Sequence, residues 1–265
     1  MIKEDYYKIY QSNLIMLEYQ IKSVKKTTQT MIGRKIWFED NNINTNVSEE
    51  EIKSGTQLFA FLICSWLEAR LMKLIYEGSS VAFSECEISK IRNFRKMKDK
   101  WRECFLMSIC KCYGFSYSEY TDYSSSFSSG SVQRQNYNDI LSFFDDIEEA
   151  ITIRNRLAHG QWNIQLNSDN TAIIEHQFFD KYDNIQKLDI LLQCYREIAD
   201  IINSYATYKD KLNPNFDNIM QKKIVSVKSK MTRISRSKFD KYVKPFKQIE
   251  EKKREMWKDY KHEQS

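Results

Sequence analysis

The stretch from Leu58 to Tyr76 most constrains the fold, because as a helix it would be apolar on almost all of its sides. Such a helix has to be surrounded by other elements. Upstream, Ser48 and Glu51 have the spacing of a capping box, so a helix is predicted to begin after Ser48. That helix, or a second one after Gly55, is predicted to reach about Glu77. Two prolines and six glycines in 265 residues also favour helices over a turn-rich β fold. The predicted fold class is mainly α, a helical bundle around this central helix.

Two charged residues, Glu68 and Arg70, interrupt the apolar run. A charge in such a helix either emerges at the edge of the core or points into a functional site. The edge position is favoured, and the functional alternative stays open for Glu68.

Apolar residues at three- and four-residue steps predict further helices. These cover residues 3–32, 87–113, 138–159 and 183–210, with an Asn-rich loop from Trp37 to Val47. Alternation over 162–166 and 172–178 predicts a β-hairpin, with His176 as a cross-strand partner. Beyond Pro214, one helix is predicted to about Tyr242, a break at Pro245, and a charged helix to about Lys261. The predicted parts are an N-terminal helix and loop (1–47), a helical bundle (48–212) and a C-terminal extension (213–265).

Residues 116–135 combine Ser, Thr and Gly with aromatic residues. A flexible surface loop is the favoured interpretation. The alternative is that Tyr117, Tyr120, Tyr123 and Phe127 stack on unpaired bases.

The helix predicted to end at His159 gathers three polar side chains near its C-terminus. Asn155 and His159 are four residues apart and share a face. Arg154 lies about 140° round from His159 at 3.6 residues per turn, but its long side chain can swing toward the same end. Gly160 is the expected stop of this helix. A cation, an amide and an imidazole are thus predicted to meet there.

Arg154, the polar Asn155 directly after it, and His159 after four intervening residues resemble the motif of the HEPN superfamily (higher eukaryotes and prokaryotes nucleotide-binding). Leu157 and Ala158 before His159 and Gly160 after it add to the resemblance. It covers roughly residues 48–210. It implies a HEPN-like antiparallel helical bundle, with a small β-hairpin after the motif helix and a basic helical C-terminal extension.

The resemblance implies an endoribonuclease that needs no metal and no cofactor, since the 2′-hydroxyl of RNA is the nucleophile. His159 would act as general acid or base, because an imidazole exchanges protons near neutral pH. Arg154 would stabilise the phosphorane-like transition state, and Asn155 would orient His159 or bind a phosphate oxygen. The products would carry a 2′,3′-cyclic phosphate and a 5′-hydroxyl.

The same resemblance implies the partners. One chain supplies one motif histidine, so a homodimer is expected to build a composite active site from two copies of Arg154, Asn155 and His159. HEPN nucleases often serve as toxins or as anti-phage abortive-infection effectors, so an antitoxin or regulatory protein is an expected partner beside the RNA substrate. Gln161 stands where some HEPN toxins have a modifiable Tyr, which argues against control by that route.

Two other functions remain open. The first is a non-catalytic HEPN-like module that binds a nucleotide or a protein. The second is nucleic-acid binding through the C-terminal segment. Residues 221–265 contain 15 Lys and Arg against 6 Asp and Glu, a net charge of +9, whereas the rest of the chain has a net charge of −4. This tail is interpreted as a solvated helix, an RNA-binding arm or a dock for an acidic partner.

The remaining features indicate a cytoplasmic protein. The charged N-terminus lacks the pattern of a secretory signal, and no run of about 18 apolar residues predicts a membrane-spanning helix. Six cysteines, most of them in apolar helical runs and without a C-x2-C pair, are expected to be reduced and buried rather than metal ligands.

Overall fold

The computed structural model describes residues 2–77, 83–159, 165–166, 173–174, 184–207, 213–236 and 238–263. These residues form a mainly helical bundle, which confirms the predicted fold class at that level. The helices are α1 (Lys3–Asp40), α2 (Glu49–Ile75), α3 (Glu85–Asn93), α4 (Met97–Tyr113), α5 (Val132–Ser142), α6 (Phe144–Ala158), α7 (Ile185–Thr207), α8 (Phe216–Arg236) and α9 (Phe239–Glu263).

Helix α2 lies at the centre, as its sequence predicts. Helices α1, α4, α6 and α7 all contact it, and Phe59, Ile63 and Leu71 are fully buried in the core. The predicted capping box is present: the Ser48 amide donates to Glu51 Oε2 over 2.8 Å, and the Glu51 amide donates to Ser48 Oγ over 3.1 Å.

Polar contacts of α2 with its neighbours lie at the margin of the core. Trp66 Nε1 donates to Glu18 of α1 over 2.7 Å, and Glu18 also pairs with Arg196 of α7. Arg70 is buried and donates to Asp200 Oδ1 over 3.0 Å, while Asp200 itself is largely exposed. The charge of Arg70 is therefore neutralised at the edge of the core.

Two of the predicted helix boundaries are wrong. Helix α1 continues to Asp40, so the predicted loop begins only at Asn41. The single helix predicted over 87–113 is two helices, because Phe94 between α3 and α4 has an extended backbone (φ −61°, ψ 134°). Ser84 caps α3 and forms a second capping box with Glu87. This local signal marks the start of α3, but the prediction of one long basic helix did not use it.

The helix predicted from Asn138 to His159 is also divided. Helix α5 begins at Val132, where Ser131 caps it, and α6 begins at Phe144 after the single residue Phe143. Helix α6 ends at Ala158 with His159 as its C-terminal cap, and Gly160 lies outside the described residues. The long helix over 183–210 is α7, which is described as far as Thr207.

Residues 116–135 do not form the flexible loop that the sequence favours. Tyr123 and Phe127 are buried, and a short 3₁₀ turn spans Ser124–Ser126. Tyr117 donates from its hydroxyl to the buried carboxylate of Glu103 over 2.6 Å. Aromatic packing onto the bundle therefore orders this segment, and of its four aromatic residues only Tyr120 is largely exposed. The base-stacking alternative fails for Tyr123 and Phe127.

After α6, Gln165–Leu166 and Ile173–Ile174 pair as two short antiparallel strands, with Gln165 opposite Ile174. The rest of the predicted hairpin, including Trp162 and His176, lies outside the described residues. The hairpin as a whole stays a prediction.

The C-terminal helices pack onto the bundle. Helix α8 contacts α5 and α7, and it buries Met220, Ile224 and Val227. The break predicted at Pro245 is wrong, because α8 ends at Arg236 and α9 contains Pro245. Pro245 is exposed, and its missing N–H removes one intrahelical hydrogen bond without ending α9.

Helix α9 packs closely against α1. A Cβ atom built on Gly33 would lie 2.6 Å from the carbonyl oxygen of Phe246, so the two backbones approach at a point where only glycine fits. Gln29 Nε2 donates to the Tyr242 hydroxyl over 2.9 Å, and Lys247 pairs with Asp40 over 2.5 Å. The predicted division into three parts remains a prediction, but its first and last parts are in direct contact.

Two further expectations concern membranes and cysteines. None of the helices in the described residues combines the length and the apolar composition that crossing a membrane requires. All six cysteines are free thiols; five of them are buried, as predicted, and Cys86 is exposed.

We predict that Gly33→Ala destabilises the protein by about 1–3 kcal/mol, because the added methyl group meets backbone atoms of α9. At an unhindered helical site, the same change would stabilise by about 1 kcal/mol. Urea unfolding measures the difference, with Ser23→Ala at an exposed position of α1 as the control. A Gly33→Ala protein as stable as the control would contradict the packing of α9 on α1.

Candidate functional site

Helix α6 positions the three predicted site residues. Ile147, Ala150, Ile153 and Leu157 recur at three- and four-residue steps and are buried, while the helix packs against α2 and α4. This apolar stripe fixes the rotation of α6 about its axis. It leaves Asn155 and His159 exposed and Arg154 half-buried at the margin of the contact with α2.

Arg154 forms an ion pair with Glu68 of α2. Its Nη2 donates to Glu68 Oε1, and the two side chains are 24% and 33% exposed. The carboxylate of Glu68 therefore holds the guanidinium against α2, and the predicted meeting of Arg154 with His159 stays a prediction. A half-buried pair of this kind is screened less than a surface pair, so it restricts the arginine more strongly.

The guanidinium of Arg154 keeps donors beyond the one that Glu68 uses. Arginine carries five N–H groups in a planar fork. Within the described part of the chain, Arg154 Nε is buried without an acceptor. Glu68 therefore fixes the orientation of the guanidinium through Nη2, while Nε is enclosed within the bundle.

Asn155 and His159 lie together at the exposed end of α6. The backbone amide of His159 donates to the carbonyl oxygen of Asn155 over 3.0 Å, which closes the last turn. His159 follows as the cap residue (φ −89°, ψ 17°). The negative end of the helix dipole favours a cation at this position. The predicted proximity of Asn155 and His159 along one face is thus present in the backbone.

A buried thiol lies one turn along α2 from Glu68. Cys64 Sγ donates to the carbonyl oxygen of Ala150 over 3.0 Å. Burial raises the pKa of the Cys64 thiol far above its usual value, and the nearby positive charge of Arg154 only partly opposes this. Cys64 is therefore a neutral core residue and not a nucleophile.

Glu68 is a functional candidate that the sequence pattern indicates only in part. Its interruption of an apolar run is a visible signal, but the run alone favours an edge position. The structure combines the two interpretations, since Glu68 lies at the edge of the core and points toward Arg154. Without a contact map, nothing in the sequence joins two residues that are 86 positions apart.

Comparison with protein-family models, with curated proteins and with solved structures finds no match for this chain. In the described residues, no group of three or more His, Cys, Asp and Glu side chains is arranged to hold a metal ion.

These residues supply complementary chemical groups at one margin of the bundle. His159 offers an exposed imidazole for proton transfer, and Asn155 offers both a donor and an acceptor. Arg154 offers a fixed positive charge whose direction is set by Glu68. Such a set can bind a phosphate group and move protons beside it.

We predict a coupling free energy of about 1 kcal/mol between Glu68 and Arg154, between the values for exposed and for buried ion pairs. Glu68→Ala and Arg154→Ala each leave a half-buried charge without its partner. The losses in free energy of unfolding of the two single variants therefore add up to more than the loss of the double variant. Chemical unfolding of the four proteins measures this coupling. The exposed pair of Lys8 and Glu4 is the control, and equal coupling in both pairs would mean that the Arg154–Glu68 contact is not specially favourable.

Proposed function

We propose that this protein is a metal-independent endoribonuclease of the HEPN type that cleaves RNA through attack by the 2′-hydroxyl. The observation that supports this most is the exposed pair of Asn155 and His159 beside an arginine held in place by Glu68. The proposal assigns catalysis to Arg154, Asn155 and His159.

His159 would transfer the proton in this reaction. Its exposure at the end of α6 leaves the imidazole accessible to a 2′-hydroxyl or to a leaving 5′-oxygen. A positioned general acid or base contributes about 10²–10⁴-fold to a rate.

Arg154 would stabilise the additional negative charge of the phosphorane-like transition state. A guanidinium that is already oriented loses little conformational freedom when it binds phosphate oxygens. Glu68 is accordingly proposed as a positioning residue, because it holds Nη2 and so sets the direction of the guanidinium. Asn155 would hydrogen-bond a phosphate oxygen or orient the imidazole.

Cleavage needs an acid and a base, and one chain contributes one motif histidine. We propose a homodimer in which two copies of Arg154, Asn155 and His159 face a shared cleft. In a cell, such an enzyme would act as a toxin or abortive-infection effector, with an antitoxin or regulatory protein as its partner.

A second candidate function follows from the same ion pair. If Glu68 neutralises Arg154 permanently, the residues of the motif are structural, and the protein is a non-catalytic helical module that binds a nucleotide or a protein. The two functions differ in one measurable respect, since only the nuclease requires His159 for RNA cleavage.

We predict that His159→Ala and Arg154→Ala each reduce RNA cleavage by at least about 100-fold. The measurement is induced expression of each variant, followed by mapping of new 5′-hydroxyl ends in total RNA. Wild type is expected to arrest growth and to generate such ends, and the two variants are not.

Arg156→Ala is the matched control, since it removes an arginine from the same turn of α6. Circular dichroism and the unfolding midpoint establish that each variant is folded. Identical RNA profiles from folded wild-type and His159→Ala proteins would reject the nuclease and favour the binding module.

We further predict that Glu68→Gln lowers kcat by about tenfold with little change in KM, because the misdirected guanidinium stabilises the transition state less well than before. Steady-state kinetics on a cleavable RNA separate the two constants. A purely structural role of Glu68 would alter the unfolding midpoint but not the kcat of the folded enzyme. A rise in kcat would instead mean that Glu68 blocks Arg154.

A further inference from the structure

A groove between α1 and α9 carries exposed cations and an exposed aromatic side chain. The residues that line it are Thr30, Arg34, Glu250, Lys253, Arg254 and Trp257. Gly55 of α2 meets Thr28 of α1 near this groove, and Glu68 lies 13 residues further along α2, about 20 Å at 1.5 Å per residue. The groove is therefore separate from the site on α6.

The electrostatics of this groove favour an anionic ligand. Lys253 and Arg34 are exposed and have no carboxylate partner within the described ranges. The carboxylate in the groove, Glu250, is buried and accepts a hydrogen bond from Arg254 Nε over 2.9 Å. Because Arg254 neutralises Glu250, the charge presented to solvent is positive.

Exposed apolar side chains interleave with these cations on α9. The exposed fractions are 53% for Ile249, 70% for Met256, 64% for Trp257 and 52% for Tyr260. Lys253 lies one helical turn from Ile249 and one turn from Trp257, so it shares their face. The rings of Trp257 and Tyr260 meet edge-on with centroids 6.3 Å apart. Flat aromatic surface and positive charge therefore alternate along one face.

Close packing of α9 on α1 supports this surface. The close approach at Gly33 and the hydrogen bond from Gln29 to Tyr242 fix α9 on α1. Arg254 also lies over the ring of Phe38, with its guanidinium carbon 4.9 Å from the ring centroid. A surface that is ordered before binding loses less conformational entropy when a ligand binds.

We propose that this face of α1 and α9, defined by Arg34, Lys253, Trp257 and Tyr260, binds single-stranded RNA. Unpaired bases stack on exposed aromatic rings, and lysine and arginine neutralise the phosphates. A duplex hides the faces of its bases and cannot use the rings in this way. The choice of RNA over DNA rests on the proposed nuclease function, whereas the choice of a single strand rests on the geometry.

The test measures binding and not cleavage. Fluorescence anisotropy of a labelled, unstructured oligouridine is followed with full-length protein carrying His159→Ala, so that the strand stays intact. In this background, Trp257→Ala is expected to weaken binding by about tenfold or more, as loss of one stacking platform does. Lys253→Gln is expected to reduce the slope of log K against log salt by about 0.7, the value for one phosphate of a single strand.

Matched controls separate local contacts from general charge. Tyr19→Ala removes an aromatic residue that is 65% exposed on α1, and Lys223→Gln removes an exposed lysine of α8. Both controls are expected to bind like the parent. Equal losses of RNA affinity in the control and test variants, or unchanged RNA affinity in Trp257→Ala, would overturn the proposal.

Three further outcomes also decide against this assignment. Equal affinity for oligodeoxyuridine of the same length would overturn the choice of RNA. Binding of anionic lipid vesicles in place of the oligouridine would make the face a membrane surface. A change in sedimentation mass with Trp257→Ala, at unchanged RNA affinity, would make it a contact between copies. If RNA binding depends on Trp257 but RNA cleavage does not depend on His159, the result contradicts the proposed nuclease and leaves the RNA-binding face standing.

Discussion

Burial of helix α2 on almost all of its sides from Phe59 to Ile75 is the constraint that organises this bundle. A helix without a polar face is stable in water only when neighbouring helices cover it. Helices α1, α4, α6 and α7 do so. Because the core is closely packed, the few charged groups of α2 have to find partners where the neighbouring helices meet its edge. Arg70 reaches Asp200 on α7, and Glu68 reaches Arg154 on α6.

The candidate site is a consequence of that arrangement. The buried stripe of α6 sets the rotation of the helix, so Arg154 faces α2 while Asn155 and His159 face solvent. Glu68 then gives the guanidinium a defined direction. Beyond this core, the close contact at Gly33 places the basic helix α9 alongside α1. The candidate site at the end of α6 and the cationic aromatic face of α9 thus belong to one folded chain.

Periodicity predicted the helical class, the central position of α2 and the capping box at Ser48, because these features depend on local sequence. It joined α3 to α4 and α5 to α6, since the short break at residues 94–96 and the single residue Phe143 leave little trace in a hydrophobic pattern. The prediction of a helix break at Pro245 was wrong, because an exposed proline can remain in a helix whose other face is buried. The pairing of Glu68 with Arg154 depends on tertiary structure, and so does the burial of Tyr123. A single sequence does not encode such contacts in any local pattern.

The central claim is that RNA is cleaved by its own 2′-hydroxyl at a site containing His159 and Arg154. The most direct measurement is mass spectrometry of the 3′ ends of fragments formed from a defined RNA by purified full-length protein in the presence of a metal chelator. The account predicts 2′,3′-cyclic phosphate ends with wild type and none with His159→Ala. Fragments with 3′-hydroxyl and 5′-phosphate ends, or cyclic phosphate ends formed equally by folded His159→Ala protein, would contradict it.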